Sequence, residues 1–317
     1  MFVDRKNELA FLNEILTRSH PGPAQLVLLY GRRRVGKSEL LLHWAERSGV
    51  KFVYWEAAKE SATMQRAHLF ARLLGVPAGS APAFQSWVDL WEAAAKVLGN
   101  ERQIIILDEV PYAADADPAF LSALQIAWDQ HFQRSQTVIV LCGSHVRTMQ
   151  TLMSMQSPLF GRMTGQWHLQ PLPFSSLAEF FPKWDADERV AVYAVAGGIP
   201  AYLNWLNPES DLENNIRKVI LNPGGMFLAE PSFLLYDEVR ELNHYLAVLK
   251  AIGKGAHTLD EISTQCFLPT TSANAYLATL QELYLVERRL PVTVPPRLRT
   301  KSRSGRYHLS DPYFRFY

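Results

Sequence analysis

The sequence predicts an α/β protein: a parallel sheet covered by helices, then a small helical domain, then a unit of three helices and a β-hairpin. Three observations carry this. Short apolar runs in the first half alternate with helix-like segments, the pattern of strands joined by helical crossovers in a sheet buried on both faces. One run, Gln25-Leu26-Val27-Leu28-Leu29-Tyr30, leads directly into Gly31-Arg32-Arg33-Arg34-Val35-Gly36-Lys37-Ser38, which fits G-x-x-x-x-G-K-[ST] at every fixed position. Another, Gln103-Ile104-Ile105-Ile106-Leu107, ends in two carboxylates, Asp108 and Glu109.

Taken in order, strands are expected at 25–30, 51–55, 103–107, 137–141 and 166–169, with helices at 38–48, 62–74, 84–98 and 119–133. From about 174 to 243 the segments read as mostly helical, punctuated by Gly197-Gly198-Ile199-Pro200, Asn222-Pro223-Gly224-Gly225 and Glu230-Pro231. Helices follow at 239–252, 259–265 and 270–284. A hairpin then leaves through Leu285-Val286-Glu287-Arg288-Arg289-Leu290 and returns through Arg306-Tyr307-His308-Leu309. Three helices and a hairpin describe a winged helix around a helix-turn-helix. The expected domains are a core at 1–172, a helical lid at 173–238, and at 239–317 a winged helix with the start of a C-terminal region.

The chain has 317 residues, 48% of them hydrophobic and 20% charged, with a net charge of +1. That is enough length for two or three domains of ordinary globular composition. Near-neutrality supplies no global field for nucleic acid or membrane, so any basic surface is local. Cys142 and Cys266 lie far apart in apolar surroundings and show neither disulfide nor metal spacing. The N-terminus lacks the apolar core of a signal peptide, and no apolar run approaches bilayer length. Together these point to a cytoplasmic protein.

Strand, glycine loop, helix is the context in which G-x-x-x-x-G-K-[ST] becomes a phosphate site. Gly31 and Gly36 let backbone N–H groups curl round an anion, and the following helix turns its positive end toward it. Lys37 would reach the β- and γ-phosphates of ATP, and Ser38 would bind Mg²⁺. Arg32, Arg33, Arg34, Val35 and Glu39 complete the nucleotide-binding candidates of this segment. The three arginines would either add phosphate contacts or repel one another until nucleotide binds. Asp108 would hold Mg²⁺ as a Walker B aspartate does, and Glu109 would polarise the attacking water as general base. The strand at 51–55 falls between the two motifs in sequence, which assigns the core to the additional-strand class of P-loop NTPases. Taken alone, the strand at 103–107 would also fit a buried strand ending in a solvated acidic turn.

The third buried strand runs through Thr137-Val138-Ile139-Val140-Leu141-Cys142-Gly143 to Ser144. Parallel strands present ligands at their carboxyl ends. Ser144 would therefore sense the γ-phosphate or orient the water; it would serve equally as a helix N-cap. Arg162, in Leu159-Phe160-Gly161-Arg162, is placed before the last strand, near the nucleotide end of the sheet, as a transition-state arginine acting in cis or from a neighbour.

These residues resemble a known family. Phe2-Val3-Asp4-Arg5-Lys6-Asn7-Glu8-Leu9 is similar to the F-x-G-R-x-x-E-L opening of ATPases of the AAA+ and signal-transduction (STAND) groups, with Asp4 where glycine is usual. The glycine loop, Leu107-Asp108-Glu109, Cys142-Gly143-Ser144, Leu159-Phe160-Gly161-Arg162 and Gly197-Gly198-Ile199-Pro200-Ala201-Tyr202-Leu203 follow in the order of the archaeal-type ATPases. The resemblance covers most of residues 1–240 and implies ATP or ADP held between core and lid. Phe2, Val3 and Arg5 would border the adenine or ribose. Gly198 and Pro200 would form the lid's G-x-P element near the base, although a proline there also simply breaks a helix. The tail, Tyr307-His308-Leu309-Ser310-Asp311-Pro312-Tyr313-Phe314-Arg315-Phe316-Tyr317, resembles the segment that opens a restriction-nuclease-like domain in relatives. Its aromatic ending needs to pack back on the protein or pair with another chain.

The recognition-type helix exposes Thr271, Asn274 and Gln281, which hydrogen-bond without charge. Basic residues crowd after it: Arg288 and Arg289, then Arg297, Arg299, Lys301, Arg303 and Arg306. A basic wing suits DNA phosphates better than base readout; it also suits docking to a protein. The expectation is an ATP-binding protein with slow Mg²⁺-dependent ATPase activity, in which ATP locks the lid and hydrolysis releases it. The output would be winged-helix position or assembly, homo-oligomeric or with a partner. A nucleotide-gated switch with little turnover, docking a protein partner, is the alternative. The winged helix and the lack of an acceptor-site insertion argue against a small-molecule kinase.

Overall fold

The computed structural model describes residues 2–20, 22–236, 238–299, 302 and 304–317. The chain divides into two compact units, Phe2–Gln170 and Pro171–Tyr317.

In the first unit, α1 (Lys6–Thr17) precedes five strands: β1 (Gln25–Tyr30), β2 (Lys51–Glu56), β3 (Gln103–Asp108), β4 (Thr137–Gly143) and β5 (Gly165–His168). All neighbours are parallel, in the order β2-β3-β4-β1-β5. β4 is thus inserted between β1 and β3, as the additional-strand reading requires. Every residue of β1, β3 and β4 is buried, because helices cover both faces. One face packs Leu26, Leu28, Ile105, Leu107, Ile139 and Leu141 against α3 (Ala62–Leu74), α4 (Trp87–Leu98), α5 (Val110–Ala116) and α6 (Ala119–Ala127). The other packs Val27, Leu29, Ile104, Ile106, Val138 and Val140 against α1 and α2 (Lys37–Arg47). The helix ends have local causes. Ser61 caps α3 by accepting from the Met64 N–H, and Gly75 closes it in the left-handed conformation. The helix expected through 133 ends instead in a π-turn, Trp128–Phe132.

The second unit holds short helical pieces, including Ala186–Ala196, Pro200–Trp205 and Glu230–Tyr236, and then a winged helix. Helices Leu242–Gly253, Leu259–Gln265 and Thr270–Glu282 pack Val248, Ile252, Ile262, Leu277 and Leu280 against Tyr307 and Leu309 of the hairpin. Val286–Arg289 pairs antiparallel with Arg306–Leu309. Thr258 and Glu261 form a reciprocal capping box, which fixes the start of the second of these helices. The aromatic tail packs back only in part, and Phe316 and Tyr317 stay exposed. Asp311 caps a final helix, Pro312–Phe316, and Tyr313 and Phe314 are buried. The Tyr313 ring lies 5.2 Å from Tyr202 and 5.8 Å from Phe227, and its hydroxyl donates to the Phe227 carbonyl. Among the described residues, no helix is long and apolar enough to cross a membrane.

Candidate functional site

The glycine loop joins β1 to α2 at the carboxyl end of the sheet. Two of its residues have positive φ, Arg34 at 67° and Gly36 at 90°. Gly31 has no room for a side chain: a Cβ there would lie 2.4 Å from the Leu169 carbonyl oxygen. The Lys37 Nζ, buried to 5% exposure, donates to the carbonyls of Gly31 (3.0 Å) and Arg32 (3.2 Å), so the ammonium sits over the loop. Val35 is fully buried, and Glu39 is exposed in the first turn of α2. The Arg33 guanidinium donates to the Tyr112 hydroxyl at 3.0 Å and lies 3.4 Å from the His145 Nε2.

Two strands away, β3 delivers Asp108, almost fully buried. Its Oδ2 accepts from the Ser38 hydroxyl at 2.5 Å and the Tyr54 hydroxyl at 2.8 Å, and its Oδ1 accepts from the Glu109 N–H at 2.9 Å. Three donors on one buried carboxylate offset its desolvation. Burial, and next the Asp108 charge, push the Tyr54 phenol far above its ordinary value, so it stays a donor. Glu109 follows in the left-handed conformation, φ 48°, which turns its side chain toward β4. There the Ser144 hydroxyl donates to the Glu109 Oε1, and the Ser144 N–H donates to Oε2 at 3.2 Å. Ser144 is not the cap of the next helix, Val146–Thr151; that position belongs to His145. The ends of β1, β3 and β4 are therefore joined by one hydrogen-bonded chain, Ser38–Asp108–Glu109–Ser144.

The N-terminal segment borders the loop. Phe2 stacks on His43 of α2, ring centroids 3.6 Å apart and 8° from parallel, and Val3 is buried. The buried Arg5 donates to the carbonyls of Val35 (2.8 Å) and Gln170 (2.8 Å) and pairs with Glu8 (2.9 Å). It reaches the loop through the Val35 backbone. Tyr54, His43 and Tyr112 were not legible as site residues, since an aromatic residue in an apolar segment reads as core. Only the end of β2 beside Asp108, Glu56 against it in register, could have signalled Tyr54.

Arg162 requires a correction. In a parallel sheet the residue before a strand lies at the amino end, opposite the phosphate loop. Thr164 bonds Leu26, near the start of β1, which fixes Arg162 at that end. Its guanidinium is held by Asp129 through two bonds of 2.7 Å and by the Pro158 carbonyl at 3.0 Å. It lies away from the phosphate loop, at the other end of the sheet.

In the second unit, Pro200 occupies the first turn of its helix, where a missing N–H costs nothing. Gly198 is fixed by packing: a Cβ would fall 1.8 Å from the Leu172 oxygen, and the Leu172 N–H donates to the Gly198 carbonyl at 2.7 Å. On the wing, Arg297, Arg299 and Arg306 are exposed. Arg288 bonds the Ser302 carbonyl, and Arg289 pairs with Glu287. Lys301 and Arg303 lie outside the described residues.

Comparison with known proteins places this architecture. A family described as an ATPase domain predominantly from Archaea matches residues 2–206. The chain belongs to this family. An uncharacterized protein of Methanocaldococcus jannaschii is 34% identical over 320 residues, covering 100% of this chain and 68% of that protein. An uncharacterized ATP-binding protein of the same organism is 45% identical over 51 residues, 16% of this chain and 81% of its own. Among solved structures, a Walker-type ATPase of Pyrococcus abyssi superposes with a TM-score of 0.67 at 19% identity, covering 99% of this chain and 95% of the other. The ORC2 protein of Aeropyrum pernix, in ADPNP and ADP complexes, gives 0.63 at 16% identity, covering 98% and 90%. The ORC1 protein of Aeropyrum pernix in complex with DNA gives 0.51 at 15%, again 98% and 90%. At these identities the likeness is one of fold: P-loop ATPases bearing a winged helix. This member of the archaeal ATPase family is thus a nucleotide-binding ATPase of α/β architecture.

Proposed function

We propose that this ATPase hydrolyses ATP slowly to ADP and phosphate, and that the change of nucleotide moves its winged helix. The hydrogen-bonded chain Ser38–Asp108–Glu109–Ser144 carries the reading. Ser38 and Asp108 bring two hard oxygen ligands together, with the remaining positions left to water and phosphate oxygens, which fits Mg²⁺. Bound there, Mg²⁺ would neutralise charge on the β- and γ-phosphates. The Lys37 ammonium exchanges the carbonyls of Gly31 and Arg32 for phosphate oxygens. Arg32, Arg33 and Arg34 surround the same loop with positive charge, and Phe2 and His43 border the nucleoside.

Glu109 takes the proton of the attacking water as its oxygen bonds to the γ-phosphorus and the bond to the β-phosphate oxygen breaks, releasing ADP. Ser144 holds both Glu109 oxygens, so it aims the base and links γ-phosphate contact to carboxylate orientation. The segment 173–238 serves as lid and 239–317 as winged helix.

The exposed Arg297, Arg299 and Arg306 support duplex DNA as the target, with phosphates rather than bases contacted. The fold relative bound to DNA supports the same direction. Phe267 favours a second reading. It is 96% exposed at the helix-turn-helix corner, beside an uncharged helix face, and an apolar side chain there suits a protein partner.

The test is ATP turnover by wild type and Glu109→Gln, with and without duplex DNA, at fixed modest salt. The Gln variant is expected to lose about 10²- to 10⁴-fold in turnover while still binding ATP. Stimulation of wild type by DNA supports the DNA-coupled reading. Negligible turnover indifferent to DNA, with tight nucleotide binding, moves the protein to the partner-docking switch.

A further inference from the structure

A cavity of about 680 Å³ opens at the edge of the sheet, lined by Tyr54–Ala58, by His68, Ala71 and Arg72 of α3, by Val76–Ala78, and by Tyr112. Its size is that of a small-molecule site. It is not the nucleotide pocket. β3 and β4 separate the strand that lines the cavity, β2, from the phosphate-loop strand β1 by roughly 14 Å at normal strand spacing.

Its wall is nevertheless shared with the phosphate site at two points. Tyr54 lines the cavity and donates its hydroxyl to Asp108; Tyr112 lines it and accepts from Arg33 of the loop. Alanines at 57, 58, 71 and 78 leave the interior open and apolar. Two charges of opposite sign face it, Glu56 and Arg72, and among the described residues neither has a side-chain hydrogen bond or ion pair. His68 is already paired with Glu60 at 2.8 Å. Glu56 stands in register with Asp108.

We propose that this cavity is a second ligand site, taking a small zwitterion with an apolar body such as a free apolar amino acid, whose occupancy the nucleotide site reads through Tyr54 and Tyr112. The ligand's ammonium meets Glu56, its carboxylate meets Arg72, and its side chain fills the alanine-lined interior. Filling the cavity fixes the Tyr54 ring, and with it the carboxylate shared by Ser38. By linkage, ADP must change the amino acid's affinity by the same factor as the amino acid changes that of ADP. This coupling rests on the nucleotide site proposed above; binding of the zwitterion does not.

The experiment measures melting of the full chain without nucleotide in millimolar leucine, methionine and phenylalanine, and in their N-acetyl and amide forms. At least one free amino acid is expected to raise the melting temperature while its two blocked forms do not. Glu56→Gln and Arg72→Gln, both at exposed positions, should each abolish the shift. ADP affinity, read by titration at saturating amino acid, should change about fivefold or more. Tyr54→Phe should keep the melting shift but lose most of that change. Failure of all three amino acids to shift the melt, or a shift that survives both charge variants, overturns the site. A shift without any change in ADP affinity overturns the coupling. Loss of ADP binding altogether would instead count against the nucleotide-site reading.

Discussion

Gly198→Ala separates two duties assigned to one motif. The resemblance gives Gly198 and Pro200 a place beside the base; the structure gives Gly198 a packing constraint. An added Cβ would lie 1.8 Å from the Leu172 oxygen, 2.7 Å from its carbonyl carbon and 2.8 Å from its nitrogen, all inside the 3.0 Å that real Cβ atoms respect. The obstacle is backbone, so no rotamer relieves it. Overpacking against side chains that can move costs about 1–3 kcal/mol, and an unyielding carbonyl belongs at the upper end. The displacement also breaks the bond from the Leu172 N–H to the Gly198 carbonyl, worth about 1 kcal/mol. The expected loss is therefore about 3–4 kcal/mol, or roughly 10 °C of melting temperature at about 2–4 °C per kcal/mol. Gly197→Ala tests backbone strain instead: its φ of 62° and ψ of −155° suit glycine alone and a Pro312 ring carbon would be 3.2 Å away, so about 1–3 kcal/mol is expected. Pro200→Ala should cost less than either, and a change in nucleotide affinity there would mark contact with the base. Urea denaturation of the three variants decides the matter. If Gly198→Ala lies within 0.5 kcal/mol of wild type by that measure, about the noise of a surface substitution, the packing argument is refuted.

Ser144→Ala removes one donor from the Glu109 carboxylate. A hydrogen bond to a charged group is worth about 1.5–3 kcal/mol, so turnover should fall about 10- to 100-fold while ATP affinity holds. Arg5→Ala leaves the carbonyls of Val35 and Gln170 unpaired, and about 3 kcal/mol of stability should vanish in a denaturant titration, with Arg5→Lys restoring less than half. Arg162→Ala should leave turnover within twofold and cost about 1 kcal/mol or less, because the pair with Asp129 is partly exposed. The Arg162 hydrogen bond, chiefly, holds the Asp129 carboxyl below its ordinary value. A depressed carboxyl contributes stability above its unfolded pKa and loses it as pH falls through the folded one. The gap between wild type and Arg162→Ala should thus be constant down to about pH 5 and close below about pH 4. A gap unchanged at lower pH would assign the loss to packing.

The sheet was legible because parallel strands buried on both faces leave unbroken apolar runs, as at Ile104–Leu107. Helix starts were legible where a cap wrote them, as Ser61 and Thr258 do. Lys37, Ser38, Asp108 and Glu109 were legible because phosphate chemistry constrains residue type and spacing together. What the sequence could not carry was direction and partnership. Arg162 stood close to a strand in sequence, yet on the wrong end of it in space. Arg5 carried a charge that turned inward to backbone carbonyls. The left-handed backbone at Glu109, which aims the base at Ser144, has no glycine to announce it. Tyr54 read as one more aromatic strand residue, since its hydroxyl's partner lies on another strand.

Tyr313 has a mechanical consequence. Its ring nests against Tyr202 and Phe227, so the last helix of the chain is clamped to the helices that precede the winged helix by many residues. A turn of the hairpin would have to break the ring contacts that Tyr313 makes with Tyr202 and Phe227. Loosening this aromatic clasp would let the hairpin turn while the earlier helices stayed still, as a gear turns on a stripped shaft.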